Sequence, residues 1–447
     1  MRLSGAFFLL CCSASAAQFQ VADYGAKGDG HALDTAAIQR TIDAAAQSHG
    51  TVAFKPGVYL SGALFLKSGV VFQVDEGVTI LGSQELKDYP EMPTRIAGIE
   101  MVWPAALINV YQQTNVKING KGTIDGNGKV WWDSYWALRK QYDAKGLRWA
   151  ADYDCKRVRL IQVYKSTDVD LTGLNLHRSG FWTVHLCYSR NVMVDGITIR
   201  NNIGGRGPST DGIDVDSSSM VTVQHCDIEC NDDAICMKAG RDADGLRVNL
   251  PTHDVTVRDC TVRVGAGGFT VGSETSGGIY NVTVTGLHVF AGAPRGIIIK
   301  SARTRGGTVR HIDVREVDLQ GVATAISVGL NWNPSYSYAH IPDGMQNVPD
   351  HWRVLATPVP PDKGMPHVRD VKISNLKATG AKRAFEVNAY PSDPIQNFVF
   401  DNLDISAATA GVIADVENWK FINSSIKTED GTHVALKDAK EVTGLPQ

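Results

Sequence analysis

The sequence predicts an all-β chain wound into a right-handed parallel β-helix, a solenoid closed at its N-terminal end by a capping helix. Three observations predict it: an apolar pattern that recurs, turn-forming residues at a fixed place in each recurrence, and little helix signal elsewhere. The pattern reads apolar, any, apolar, any, any, apolar, any, apolar. It starts at Val169 (VDLTGLNL), Val192 (VMVDGITI), Val221 (VTVQHCDI), Val255 (VTVRDCTV), Val282 (VTVTGLHV), Ile312 (IDVREVDL), Val371 (VKISNLKA) and Phe398 (FVFDNLDI). The first six starts lie 23, 29, 34, 27 and 30 residues apart. Alternation marks half-buried strands. The Gly, Asn, Asp or other polar residue two places after the second apolar one marks a bend between two short strands. A unit of this size cannot bury its apolar face alone, so units stack. The Leu and Asn consensus of a leucine-rich repeat is absent, and a propeller needs a longer, four-stranded unit.

A solenoid must cover its ends. "DTAAIQRTIDAAA", residues 34–46, is the one clear amphipathic helix, with Asp34 as candidate N-cap, Ile38 and Ile42 on one face, and Gly50 beyond its end. No Pro- or Ser-rich linker interrupts the chain beyond this helix, so residues 18–447 read as a single domain.

Residues 1–17, "MRLSGAFFLLCCSASAA", read as a signal peptide: an early Arg, an apolar run from Ala6 to Cys12, then small residues. The run is too short to span a bilayer; a lipid anchor at Cys11 or Cys12 is the alternative. With no other membrane-span candidate, the expected protein is secreted or periplasmic, soluble and monomeric. A formal net charge of −3 gives no basic field for nucleic acid. Six cysteines lie beyond the leader, Cys155, Cys187, Cys226, Cys230, Cys236 and Cys260, with no CxxC pair or zinc spacing. Cys226 and Cys260 occupy the sixth position of the repeat, like Leu174, Ile197 and Leu287, and so read as core.

Two stretches break the period. Residues 130–156 carry Trp131, Trp132, Trp136, Trp149 and Tyr153; residues 330–366 carry Trp332, Tyr336, Tyr338 and Trp352. Their aromatic rings either stack on sugars or pack over the solenoid flank, and both readings stand.

"STDGIDVDSS" (209–218) and "NDDAICMK" (231–238) concentrate five aspartates. Asp211 and Asp232 are 21 residues apart, close to one coil, so Asp211 is expected beneath Asp232 and Asp233. Clustered carboxylates raise one another's pKa, so one holds a proton while others stay ionised. That is the acid and base pair of glycoside hydrolysis. A calcium site or plain Asp-rich turns are the alternatives. Asp214 and Asp216, alternating with Ile213 and Val215, read as facing solvent.

"FQVADYGAKGDG", "GTIDGNGKVWWD", "SGFWTVHL", "STDGIDVDSS", "NDDAICMK" and "RGIIIKS" together resemble the polygalacturonases, glycoside hydrolase family 28, in order along nearly the whole mature chain. The resemblance implies a right-handed parallel β-helix that cleaves α-linked galacturonic acid bonds of pectin with inversion. It implies Asp232 as general acid and Asp211 and Asp233 as the groups that position and activate water. Inversion calls for carboxyls about 6.5–9.5 Å apart. Ser209–Thr210–Asp211 matches the family's Asn-Thr-Asp motif, and Ile298–Ile299–Lys300 matches its Arg-Ile-Lys clamp on the substrate carboxylate. Lys300, Ser209, Lys238, Gly267 and Gly268 are the candidate substrate-binding residues. A pectic chain is the expected partner, and neither cofactor nor metal is expected.

The chain departs from the family in two places. The Gly-His-Gly motif is Ala266–Gly267–Gly268, and the clamp Arg is Ile298, which has no fork of donors. Both departures lean the substrate toward rhamnogalacturonan, with a neutral leaving sugar. Polygalacturonase action, endo or exo, is the alternative, with the 330–366 insertion closing the groove in the exo case. A pectate lyase and a non-catalytic carbohydrate-binding β-helix are the readings from other classes. Arg206, Arg241, Arg247, Arg303 and Arg305 are substitute donors by position, although each reads first as a solvated surface charge.

Overall fold

The apolar residues that open each repeat stand in one file. In the computed structural model, which describes residues 17–446, Val169, Val192, Val221, Val255, Val282, Ile312, Val371 and Phe398 are successive parallel partners. Val116 extends the file by one coil toward the N-terminus. The repeat pattern misses that coil because its sixth position is Lys121. Thirty strands form one sheet that winds right-handed along the axis.

Each coil turns at two left-handed residues in fixed register. One precedes the file: Asp168, Asn191, Met220, Asp254, Asn281, His311, Asp370 and Asn397, all with φ between 53° and 58°. The other is the predicted bend: Gly173, Gly196, His225, Asp259, Gly286, Glu316, Asn375 and Asn402, all with positive φ. Gly, Asn and Asp tolerate this conformation best. At several of these corners a ladder bond to the neighbouring coil offsets the strain, as from Asn281 to Asp254 (3.0 Å), Asn397 to Asp370 (2.8 Å) and Asn402 to Asn375 (2.8 Å).

The interior is filled by Val, Ile and Leu, and the six cysteines among the described residues are free and buried. Helix α1 (Thr35–Ala46) closes the first coil with Ile38 and Ile42 fully buried. Asp34 does not cap it by side chain; its carboxylate instead accepts the Lys27 and Gly28 amides at 2.7 and 2.9 Å, fixing the loop before the helix. The leader reading falls on residues 1–16, outside the described residues, apart from Ala17. Among the described residues no helix is long and apolar enough to cross a membrane.

The irregular stretches wrap one flank. Residues 129–154 form helix α2 (Lys129–Asp143) and two short turns of helix, Arg148–Ala150 and Ala151–Asp154. An antiparallel hairpin, Glu91–Ile96 with Ile99–Pro104, lies against them. Together they build a second apolar cluster outside the coil, with Ile96, Trp103, Trp149, Tyr153, Trp182 and Trp352. Most of the aromatics therefore pack over the flank; Trp136 is exposed, and Trp332 lines a cavity beside Lys300.

Arg241 holds this flank together. The sequence suggests a solvated charge, yet Arg241 is fully buried. Its amide donates to Gly98 O at the hairpin tip (2.9 Å), Nη1 to Tyr153 Oη (2.8 Å), and Nη2 to Tyr336 O (2.8 Å). Gly98 has φ 91°, and a Cβ there would sit 2.5 Å from Arg241 Cβ, so the tip can approach only as glycine. Arg305 is buried as well, paired with Asp242. Burial follows in both cases because the insertions cover the coil face that carries them. Arg206, Arg247 and Arg303 are exposed.

Candidate active site

The acids sit where two neighbouring strands begin. Asp211 precedes the strand Ile213–Asp216, and Asp233 opens the strand Asp233–Lys238. These strands pair in parallel, Ile213 with Ile235 and Asp216 with Lys238, and Gly212 N donates to Asp233 O at 2.9 Å. Asp211 therefore lies beneath Asp233, one coil apart. One oxygen from each of Asp211, Asp232 and Asp233 falls within 4.8 Å of the others. These are nearest-oxygen distances, shorter than the carboxyl-to-carboxyl separations by which inversion is read; Asp211 comes from one coil and Asp232 and Asp233 from the next.

Two lysines neutralise the cluster. Lys300 Nζ contacts Asp233 Oδ2 at 2.7 Å. Lys238 Nζ lies 3.5 Å from Asp211, 3.6 Å from Asp214, 4.0 Å from Asp233 and 3.4 Å from Glu274. Trp182 lies under Lys238 and Trp332 under Lys300, with ring centroids 4.9 and 4.8 Å from the ammonium nitrogens.

Asp214 and Asp216 do not face solvent; both are fully buried. Every residue of their strand is buried, because the hairpin and the helical insertion cover what alternation marks as the outer face. Asp216 pairs with buried Arg95 at 2.8 Å and faces His185 at 3.3 Å. Burial lowers His185 to about 4, so its ring is neutral near pH 7.

Five carboxyls, Asp211, Asp214, Asp232, Asp233 and Glu274, share two ammonium groups, so protons must remain in the site. Burial raises Asp211, reinforced by Asp214 and Asp232. Burial also raises Asp214, outweighing Lys238. Asp232, half-buried, rises to about 6 through burial and the charge of Asp233. Asp233 moves the other way: burial opposes ionisation, but Lys300 and Lys238 outweigh it. Glu274 falls to about 2 against its burial, held by Lys238, Arg305 and Arg241. The site thus pairs a carboxyl that titrates near 6 with a carboxylate that stays ionised, the arrangement general acid catalysis uses.

The trio opens into a cavity of about 230 Å³ that Ser209, Lys238 and Lys300 also line. Gly267 and Gly268 do not line it; Ala266 does. A Cβ on Gly267 would meet Ile298 Cδ1 at 2.3 Å and Thr270 Oγ1 at 2.8 Å, and one on Gly268 would meet Val289. Ile298 is buried and fills the space a side chain at 267 would take, so the two departures from the family pattern form one packing unit. Glu274, Arg148, Asp152 and Tyr336 also line the cavity or support it. No spacing rule points to them, because they reach the acids from insertions and a neighbouring coil.

The electrostatics disfavour calcium at the trio, since the Lys300 and Lys238 ammonium groups already lie 2.7 Å from Asp233 and 3.5 Å from Asp211. Both lysines have raised pKa values, which makes them poor bases for a lyase.

A sequence model described as "Glycosyl hydrolases family 28" matches residues 55–344, and one described as "Rhamnogalacturonase A/epimerase, pectate lyase-like" matches residues 18–85. The chain is 31% identical over 305 residues to an endo-polygalacturonase of Pectobacterium carotovorum subsp. carotovorum, covering 66% of this chain and 71% of that one. It is 28% identical over 410 residues to a probable polygalacturonase of Vitis vinifera, covering 89% and 76%. Among solved structures it is similar to an exopolygalacturonase from Thermotoga maritima, at 26% identity, TM-score 0.73, and 94% and 92% coverage. A β-helix of matching extent, and a family match over more than half the sequence that includes the acid trio, show that this chain is a member of glycoside hydrolase family 28.

Proposed function

We propose that the protein is an exported exo-acting polygalacturonase that releases galacturonate from one end of a pectic chain by single displacement. One observation carries the exo reading. The cavity at the acid trio is walled by Ala97 of the hairpin tip, by Arg148, and by Trp332, Asn333 and Tyr336, segments that Arg241 clasps together. A wall beside the scissile position admits a chain end and blocks a continuing polymer. Exopolygalacturonases among the similar proteins support this reading, and the leader-like residues 1–17 support export.

Asp232 donates its proton to the glycosidic oxygen as the C1–O bond breaks. Water held between Asp211 and Asp233 attacks C1 from the opposite face, and its proton passes to Asp233. The β anomer is then the first product from an α linkage. The test is hydrolysis of polygalacturonate and rhamnogalacturonan side by side, with product sizing and NMR of the new anomeric proton. Galacturonate released from the outset, β anomer first, is expected from polygalacturonate. A ladder of intermediate oligomers would overturn the exo reading, and α anomer first would overturn inversion. Faster cleavage of rhamnogalacturonan would favour the second reading, a neutral leaving sugar, which Ile298 and Gly267 support.

The pH dependence has a definite sign. Asp232 must be protonated to act, and its pKa is raised to about 6. kcat/KM is therefore expected to hold below that value and to fall about tenfold per pH unit well above it. A rate that rises from pH 6 to pH 8 would be incompatible with Asp232 as the acid.

A further inference from the structure

We infer that Arg148, carried on the helical insertion and not on the coil, is the residue that reads the carboxylate of the sugar held in the cavity; this rests on the polygalacturonase reading. The motif position that would carry an arginine holds Ile298, buried and turned into the packing beside Gly267. Among the described residues Arg148 is the only guanidinium that lines the cavity.

Its surroundings fix it as a ligand. Nη1 donates to Asp152 Oδ2 at 2.7 Å, and the guanidinium lies 4.9 Å from the Tyr336 ring centroid. Tyr336 is itself pinned, its hydroxyl donating to Glu274 Oε1 at 3.0 Å. Asp152 is pinned by Arg157 Nη2 (2.7 Å) and Ser209 Oγ (2.9 Å). Arg148 and fully buried Arg157 share this one carboxylate, so the group of three keeps a positive charge. Asp152 stays ionised: burial opposes it, and the two arginines outweigh burial.

Arg148 also has donors to spare. Nε is buried without an acceptor, and no described residue accepts from Nη2. The side chain is 15% exposed, and the cavity is where that exposure lies. A uronate entering beside the acid trio meets repulsion from Asp233. A preset cation with a free N–H lining the same cavity compensates it, and a guanidinium matches a carboxylate better than an ammonium does. The insertions that wall the cavity thus also supply its charge recognition.

The test pairs two variants, Arg148→Met and Arg148→Lys, with two substrates, tri-galacturonate and its methyl ester. Arg148→Met is expected to lose about 10- to 100-fold in kcat/KM on the acid and to change little on the ester, chiefly through KM. Arg148→Lys should keep part of the preference. Equal loss on both substrates would reduce Arg148 to a wall residue, and an unchanged preference would place the carboxylate elsewhere. Binding of galacturonate against galactose to the wild-type protein, followed by NMR titration, needs neither variant nor turnover. Tighter binding of galacturonate is expected; equal binding of the two overturns the inference. If the wild-type protein prefers galacturonate but yields a ladder of oligomers, the exo reading fails and the inference stands.

Discussion

Asp232→Asn is expected to lower kcat by about 10²–10⁴-fold while leaving the protein folded. Asparagine keeps the shape of the side chain and an oxygen that still accepts the Asp233 amide, now 3.0 Å away. What it removes is the proton. The alkaline limb near pH 6 should disappear from the residual activity, since that limb reports the raised pKa of Asp232. Steady-state kinetics across pH, beside a thermal unfolding midpoint, check both halves. Activity near wild type would remove Asp232 from the role of acid, and a collapsed midpoint would show that the loss is structural.

Lys238→Met is expected to destabilise the protein by about 3–5 kcal/mol, the cost of removing one partner from a buried ionic cluster. The ammonium is nearly inaccessible and serves Asp211, Asp214, Asp233 and Glu274 together. Methionine refills its volume but leaves carboxyls that must ionise against one another or take up protons. Proton uptake is easier in acid, so the deficit should be larger at pH 7 than at pH 5. Adding Asp214→Asn should restore part of it, because Asp214 lies 3.6 Å from the lost charge and has no hydrogen bond of its own. Urea unfolding of the single and double variants at both pH values measures each statement. A single variant as stable as wild type would mean the cluster is already held neutral by protons.

The coil was legible because its signal is local and repeated. Period-2 alternation places Val169, Val192 and the rest of the file in true register, and each bend residue falls at a left-handed corner. The vertical stacking of Asp211 on Asp233 follows from the same period. What escaped the sequence depends on insertions folding back. Alternation assigns Asp214 and Asp216 to an outer face, which it is; nothing local says that the hairpin carrying Arg95 covers that face. The partner of Asp216, Arg95, lies 121 residues away, and Arg241 reaches Tyr336 across 95. Side chains of such remote origin carry no periodic signature. The exposure of long charged residues is a sound average expectation, and it fails here where loops of irregular sequence form a second layer.

Adjacent strands of a parallel coil repeat at about 4.8 Å, and Asp211 stands one rung below Asp233. Side chains on one file of a solenoid can stand one spacing apart, or two, and the backbone offers nothing between. The backbone separation of Asp211 from Asp233 is therefore a discrete variable. Point substitution can shift the carboxyls through rotamers, but only the gain or loss of a whole coil between two acids can reset it. Tuning of this centre must instead come from the covering layer, where Arg148, Tyr336 and the hairpin tip vary continuously in position while the acids beneath stay on the grid.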